Sequence, residues 1–197
     1  MTENAEIVAR APLFLPKFLI KKYFFKYEKK LLAQKEKVLK AQKKFQNGEK
    51  FLFLGKSFSL FFGDFSEISF REKTLFFPKN SKNPRADLKH FYQKMAKKIL
   101  FSRVDFWAKK VGHFPKKVRI SAAKTRWGSL SAAGTISLSW RLILAPPFAI
   151  DAVVAHEMAH FFYPDHSKNF WKKVAEIFPD FRRGHDFLRE NAIFLRL

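Results

Sequence analysis

The sequence predicts an α+β fold: a small antiparallel sheet with a proline-bounded helix and C-terminal helices, preceded by a basic helix and a small β-meander. Three observations carry that prediction. A lysine-rich stretch over residues 17–45 places apolar Phe24, Leu31, Leu32, Val38 and Phe45 near helical spacing. Short phenylalanine-rich runs over residues 51–77 are punctuated by Gly55, Gly63 and Pro78, as strands and turns are. Then "TISLSW" alternates Ile136, Leu138 and Trp140 with Thr135, Ser137 and Ser139, and leads into a helical stretch bounded by prolines.

In chain order, residues 1–16 read as a loose leader with Pro12 and Pro16, and the basic, largely helical region runs over residues 1–50. Asn47-Gly48 ends it, and the meander occupies 51–80. A connecting helix is expected within 84–112, entered at Asn83-Pro84, stopped near Gly112, with Met95, Ile99 and Phe106 facing a core. Residues 114–197 are expected to form the last and largest structural region. There "VRIS" is a strand, and "TRWGSL" and "TISLSW" form a hairpin about "SAAG". A helix from about 148 to 162 starts at Pro147 and stops at Pro164. Ser167 caps the next, whose Phe170, Val174 and Ile177 face inward, and a last helix runs from about 184 to 194.

With 197 residues the chain has enough length for a real core. It contains no cysteine, which excludes a disulfide framework and any thiolate metal site. "MTENAEIVAR" does not read as a secretory leader, and the longest uncharged apolar stretch, between Arg141 and Asp151, is far too short to span a membrane. The expectation is a soluble, cytoplasmic protein. The net charge of +22 lies mainly in the first part, with +16 over residues 1–113 and +6 over 114–197. Codon bias toward Lys and Phe is one explanation, yet the 10 Ile and 6 Asn are not raised as that bias alone requires. The other is an electrostatic footprint, making nucleic acid a candidate partner through the basic N-terminal half.

The chemistry concentrates in "AHEMAHFFYPDH", which holds three of the six histidines. His156, Glu157 and His160 form H-E-x-x-H. On a helix the two imidazoles stack one turn apart and reach one ion, while Glu157 touches a water on it without being a ligand. His166, just past the stop at Pro164, supplies a third imidazole and leaves a fourth position open, the layout of a catalytic zinc. Glu176 and Glu190 are rival third ligands. A helix with satisfied core histidines is the bland alternative. Ala152, Ala155 and Ala159 allow close packing around the helix. His185 reads as a surface residue, with roles beside the metal or as a transition-state donor open; His90 and His113 read as solvated.

The residues "TRWGSL…GTISLSWRLILAPP…AIDAVVAHEMAHFFYPDHSKNFWKKV…FPDF" resemble the YgjP-like zinc metallopeptidase family over about residues 115–197. "FLGKSFSL" is similar to a glycine-centred strand pair in that family's N-terminal part, whereas residues 1–45 show no resemblance. The resemblance implies a zincin-like fold, one Zn2+ held by His156, His160 and His166, and Glu157 as general base on a zinc-bound water. Leu130 stands where the family usually has cysteine, and Ala152 where it commonly has tyrosine; both read as packing changes.

The expected function is therefore zinc-dependent hydrolysis of peptide bonds in a protein or peptide substrate. Arg126, Tyr163 and His185 are candidates for oxyanion stabilisation or for supporting the metal ligands, and Trp127 and Gly128 for packing behind the site. "TISLSW" is expected to form the cleft edge to which an extended substrate adds. Two alternatives stand beside this. One is a basic nucleic-acid- or ribosome-associated zinc protein with vestigial or highly restricted activity, using Tyr23, Phe24 and Phe25 among lysines. The other is hydrolysis of a non-peptide amide.

Overall fold

The structure, a computed structural model, describes residues 7, 8, 11, 12 and 14–195; of the leader expected over 1–16, positions 1–6, 9, 10 and 13 lie outside the described residues. Two compact units divide between Lys43 and Lys44. The first is built on one helix, α1 (Lys17–Ala41), whose straight-chain lysines and leucines favour helix. Ile20, Leu31 and Val38 are half-buried, whereas Phe18, Tyr23, Phe25 and Leu32 are exposed. The helix expected to reach Phe45 stops at Ala41. Beyond it, the Glu49 carboxylate accepts from the N–H groups of Lys44 and Phe45 at 3.1 and 2.6 Å, and Phe45 adopts a left-handed φ of 59°.

The second unit holds two small sheets and four α-helices. β1 (Lys50–Phe53), β2 (Lys56–Gly63), β3 (Ser69–Arg71) and β4 (Thr74–Pro78) form a sheet in the order β1-β2-β4-β3. A meander would pair β2 with β3; instead β2 runs parallel to β4, and β3 folds antiparallel onto β4's far side. Burial explains the difference. β4 inserts Leu75 and Phe77 fully into the core and takes a central place, while β3 is only partly covered and takes the edge.

α2 (Pro84–Val111) begins as expected, with Asn83 accepting from the Ala86 N–H, and ends at Gly112 with φ 71°. Its buried stripe is Leu88, Tyr92, Ala96, Leu100, Val104 and Trp107. Phe106, expected inside, is exposed and packs beneath the Arg103 guanidinium at 4.7 Å.

The second sheet comprises β5 (Lys117–Ser121), β6 (Gly128–Leu130) and β7 (Thr135–Ser139) in the order β5-β7-β6. β6 and β7 form the expected hairpin, its turn made by Gly134 at φ 75°. β5 joins β7 in parallel, so both sheets are mixed. β7 is thereby paired on both sides. "TISLSW" is not the free edge expected of it: its small serines are buried along with Ile136 and Leu138, which suits a central strand. The edge beside α3 belongs to β6, and the edge beside α2 to β5.

A short 3-10 helix, Trp140–Leu144, follows. Its Ile143 and Leu144 carbonyls accept from the Leu54 and Gly55 N–H groups at 2.7 and 3.1 Å, so the tip of the β1–β2 hairpin clamps the entry to the next helix. Gly55 has φ 75°, and a Cβ there would stand 2.7 Å from the Pro146 side chain. α3 (Pro147–Ala159) is almost wholly buried, α4 (Lys168–Ile177) is capped by Ser167, and α5 (Phe181–Asn191) starts three residues earlier than expected. Gly184 of α5 faces Ala152 so closely that no side chain fits between them. The small Ala152 and the glycine together let α5 approach α3. No helix among the described residues is long and apolar enough to cross a membrane.

Candidate active site

α3 ends in a turn that carries the chain past Pro164 and back toward it. The Phe162 and Tyr163 N–H groups both donate to the Ala159 carbonyl, and Asp165 and Ser167 then shape the start of α4. This return brings His166 onto the two helical histidines. One ring nitrogen from each of His156, His160 and His166 lies within 4.8 Å of the others, and His156 Nε2 is 3.1 Å from His166 Nε2. Two donors on a tetrahedral ion with bonds of about 2.0–2.1 Å lie about 3.3 Å apart, so the spacing suits one small cation. The donors are all imidazole nitrogens, a set that suits zinc, copper, iron or nickel.

The geometry also selects the nitrogens. Nδ1 of His160 lies 3.1 Å from the Tyr163 carbonyl, which only accepts, so Nδ1 carries the proton and Nε2 keeps its lone pair. His156 Nδ1 is buried without a partner, and its Nε2 is the nitrogen turned to His166. Burial first, then the neighbouring histidines, pushes His156 down to about 3; His160 is lowered too, chiefly by burial. Neutral imidazoles are the form a metal requires. Phe170, fully buried on α4, supports all three rings at centroid distances of 4.5–4.9 Å.

Glu157 is 4% exposed. Burial pushes its carboxyl up to about 7, against the opposing pull of a hydrogen bond from the Leu130 N–H and of the Arg126 charge. Leu130 thus contributes its backbone to the site whatever its side chain. The hydrogen bonds from Ser139 N–H to Trp127 O and from Ser131 N–H to Thr135 O place the odd-numbered residues of this strand toward β7. Gly128 and Leu130 therefore turn their backbone outward, at the edge where Glu157 lies. Gly128 abuts the glutamate directly: a Cβ on it would occupy the carboxylate's space.

His185 is not a free surface residue. It is half-buried on α5, donates to the Ala152 carbonyl, and its ring lies 5.5 Å from that of His156. With that N–H engaged, the neutral ring offers only an acceptor to the cavity. Arg126 is exposed and lies close enough to Glu157 to influence its charge. Tyr163 acts through its carbonyl, and its half-buried ring packs on Phe170 and its neighbours. His90 and His113 are exposed; Glu176 is tied to Lys173 at 2.8 Å, and Glu190 is exposed.

One structural group has no sequence signal. Asp151, a turn before His156, is buried, accepts from Arg103 Nε and Nη2 at 2.7 Å each, and accepts from Trp107 Nε1 at 2.9 Å. These bonds fasten α3 to α2.

A family model described as YgjP-like, metallopeptidase domain, matches residues 1–191. The chain belongs to the YgjP-like metallopeptidase family. The match takes in residues 1–45, which show no resemblance by motif alone. Membership makes this YgjP-like protein a metal-dependent peptidase, acting on proteins or peptides. Among solved structures, the metallopeptidase zymogen of Pyrococcus abyssi abylysin is similar, at 22% identity and a TM-score of 0.42, over 46% of this chain and 93% of that chain. No curated protein matches the chain.

Proposed function

We propose that this YgjP-like protein is a zinc peptidase in which His156, His160 and His166 hold one Zn2+ and Glu157 is the general base. The convergence of three imidazole nitrogens beside one buried carboxylate carries the reading. When bound, the ion would acidify the attacking water and polarise the scissile carbonyl.

The chain's own groups supply the rest. The Glu157 carboxylate, buried beside the three imidazoles, takes a proton from water and returns it to the leaving nitrogen. The Leu130 N–H orients that carboxylate, and the Tyr163 carbonyl orients His160. Arg126, on the same side as Glu157, is the candidate for balancing negative charge on the oxyanion. The outward-facing backbone of β6, rather than of β7, is the edge an extended substrate would join. Cytoplasmic residence, in keeping with a cysteine-free chain, belongs to the same proposal.

A second reading rests on α1. Its nine lysines and exposed Tyr23, Phe24 and Phe25 suit contact with nucleic acid or ribosomes, and binding that weakens steeply with salt would favour it.

The test of the first is cleavage of an unfolded protein by the zinc-loaded wild type and by Glu157→Gln, with zinc content measured in both. Loss of cleavage at unchanged zinc content supports the assignment; equal cleavage overturns it.

A further inference from the structure

The cavity next to Glu157 is larger than proton transfer needs. It is an open cleft of about 340 Å³, within the range of sites that hold an organic group. Glu157 and His156 form one wall, but His160 and His166 do not line it, so it leads away from the other two rings on the carboxylate's side. Trp127 just ahead of β6, Val153 of α3, Trp171 of α4 and Leu188 of α5 supply its apolar surface.

We propose that this cavity is a specificity pocket for a large, neutral, apolar side chain, aromatic above all, on the residue whose nitrogen leaves. The assignment of side rests on Glu157 as base. In hydrolysis the water oxygen bonds to the carbonyl carbon, the C–N bond breaks, and the proton taken from water passes through Glu157 to that nitrogen. The amine fragment therefore departs past Glu157, and its side chain has this cavity as its nearest cover.

The walls set the chemistry. Two indoles offer faces or edges to a ring, and they are held in place. Trp171 stacks on Phe181 with centroids 5.7 Å apart, and Val153 and Leu188 are buried. An acidic side chain would meet Glu157. A basic one would pair with Glu157 and occupy the base, while Arg189 at the rim is already paired with Asp186 at 2.7 Å. A neutral side chain avoids both conflicts, and a large one fills the space.

The experiment maps new N-termini made by the full zinc-loaded chain from an unfolded protein, then compares kcat/KM for peptides differing only at the residue that supplies the amine. Phe, Trp, Leu and Met are expected at the new N-termini, with Phe over Ala by at least about tenfold and Asp and Lys poorest. A second readout needs no turnover. Binding of phenylalaninamide to the metal-free chain should change tryptophan fluorescence and saturate, alaninamide should not, and Trp171→Phe should diminish the change. Cleavage that depends on Glu157 but shows no preference at that residue overturns the pocket and leaves the peptidase assignment standing. If no substrate is cleaved, the peptidase reading fails and the fluorescence decides the pocket: saturation by phenylalaninamide alone supports it, and equal responses to both amides overturn it.

Discussion

Gly128 lies so close to Glu157 that a Cβ on the glycine would take the place of the glutamate's carboxylate. The contact joins the outer edge of β6 to the buried end of α3, and it makes glycine a requirement of side-chain space rather than of backbone angle. Gly128→Ala is therefore expected to displace the base. Its kcat should fall about 100-fold, the lower range of what a general base supplies, while zinc content stays at the wild-type level. Unchanged kcat would show that Glu157 has room to move without cost.

His166 comes from the return after Pro164, and Glu176 and Glu190 face elsewhere. His166→Ala should weaken zinc binding by more than about 100-fold, measured by competition with a chelator, whereas Glu176→Gln and Glu190→Gln should leave it unchanged. The reverse pattern would move the third ligand to a carboxylate.

Asp151 gathers three hydrogen bonds from α2, and truncating it strands a partly buried guanidinium and an indole N–H. Asp151→Ala should cost about 3 kcal/mol in denaturant unfolding. Replacing Arg103 by Met and Asp151 by Leu together should recover much of it, since no unpaired charge is left behind.

The metal-free protein should show two opposing pH effects. His156 is held down at about 3, so between its ordinary 6.5 and 3 the unfolded chain binds a proton that the folded one does not; this contribution is lost as pH falls. Glu157 is pushed up to about 7, so between 4.5 and 7 the folded chain binds the extra proton; this contribution is lost as pH rises. From pH 4.5 to 6.5 the Glu157 slope offsets part of the histidine slope, to which the lowered His160 and His185 also contribute. Glu157→Gln removes that offset, and its unfolding free energy should fall with acid more steeply than the wild type's, by roughly 1.4 kcal/mol per pH unit across that window. Parallel pH profiles for the two proteins would refute these assignments.

Much of this was legible in local pattern. Asn83 and Ser167 as caps, Gly134 as the hairpin turn, and the pairing of His156 with His160 one helical turn apart all depend on neighbours within a few residues. Strand order was not legible. Whether β4 or β3 lies beside β2, and whether β7 is an edge or a centre, depends on which residues find cover from distant elements, and alternation alone does not say.

What the sequence by itself determined about this protein is its α+β class, the starts of most helices and the spacing of one chemical motif, because short-range sterics and hydrogen bonding decide those. Only the tertiary structure decided the rest. It brought His166 back onto α3, laid Gly128 and the Leu130 N–H against Glu157, tied Asp151 to Arg103 and turned His185 inward. Each joins residues from different elements, and such contacts arise only when two sheets and four helices pack together.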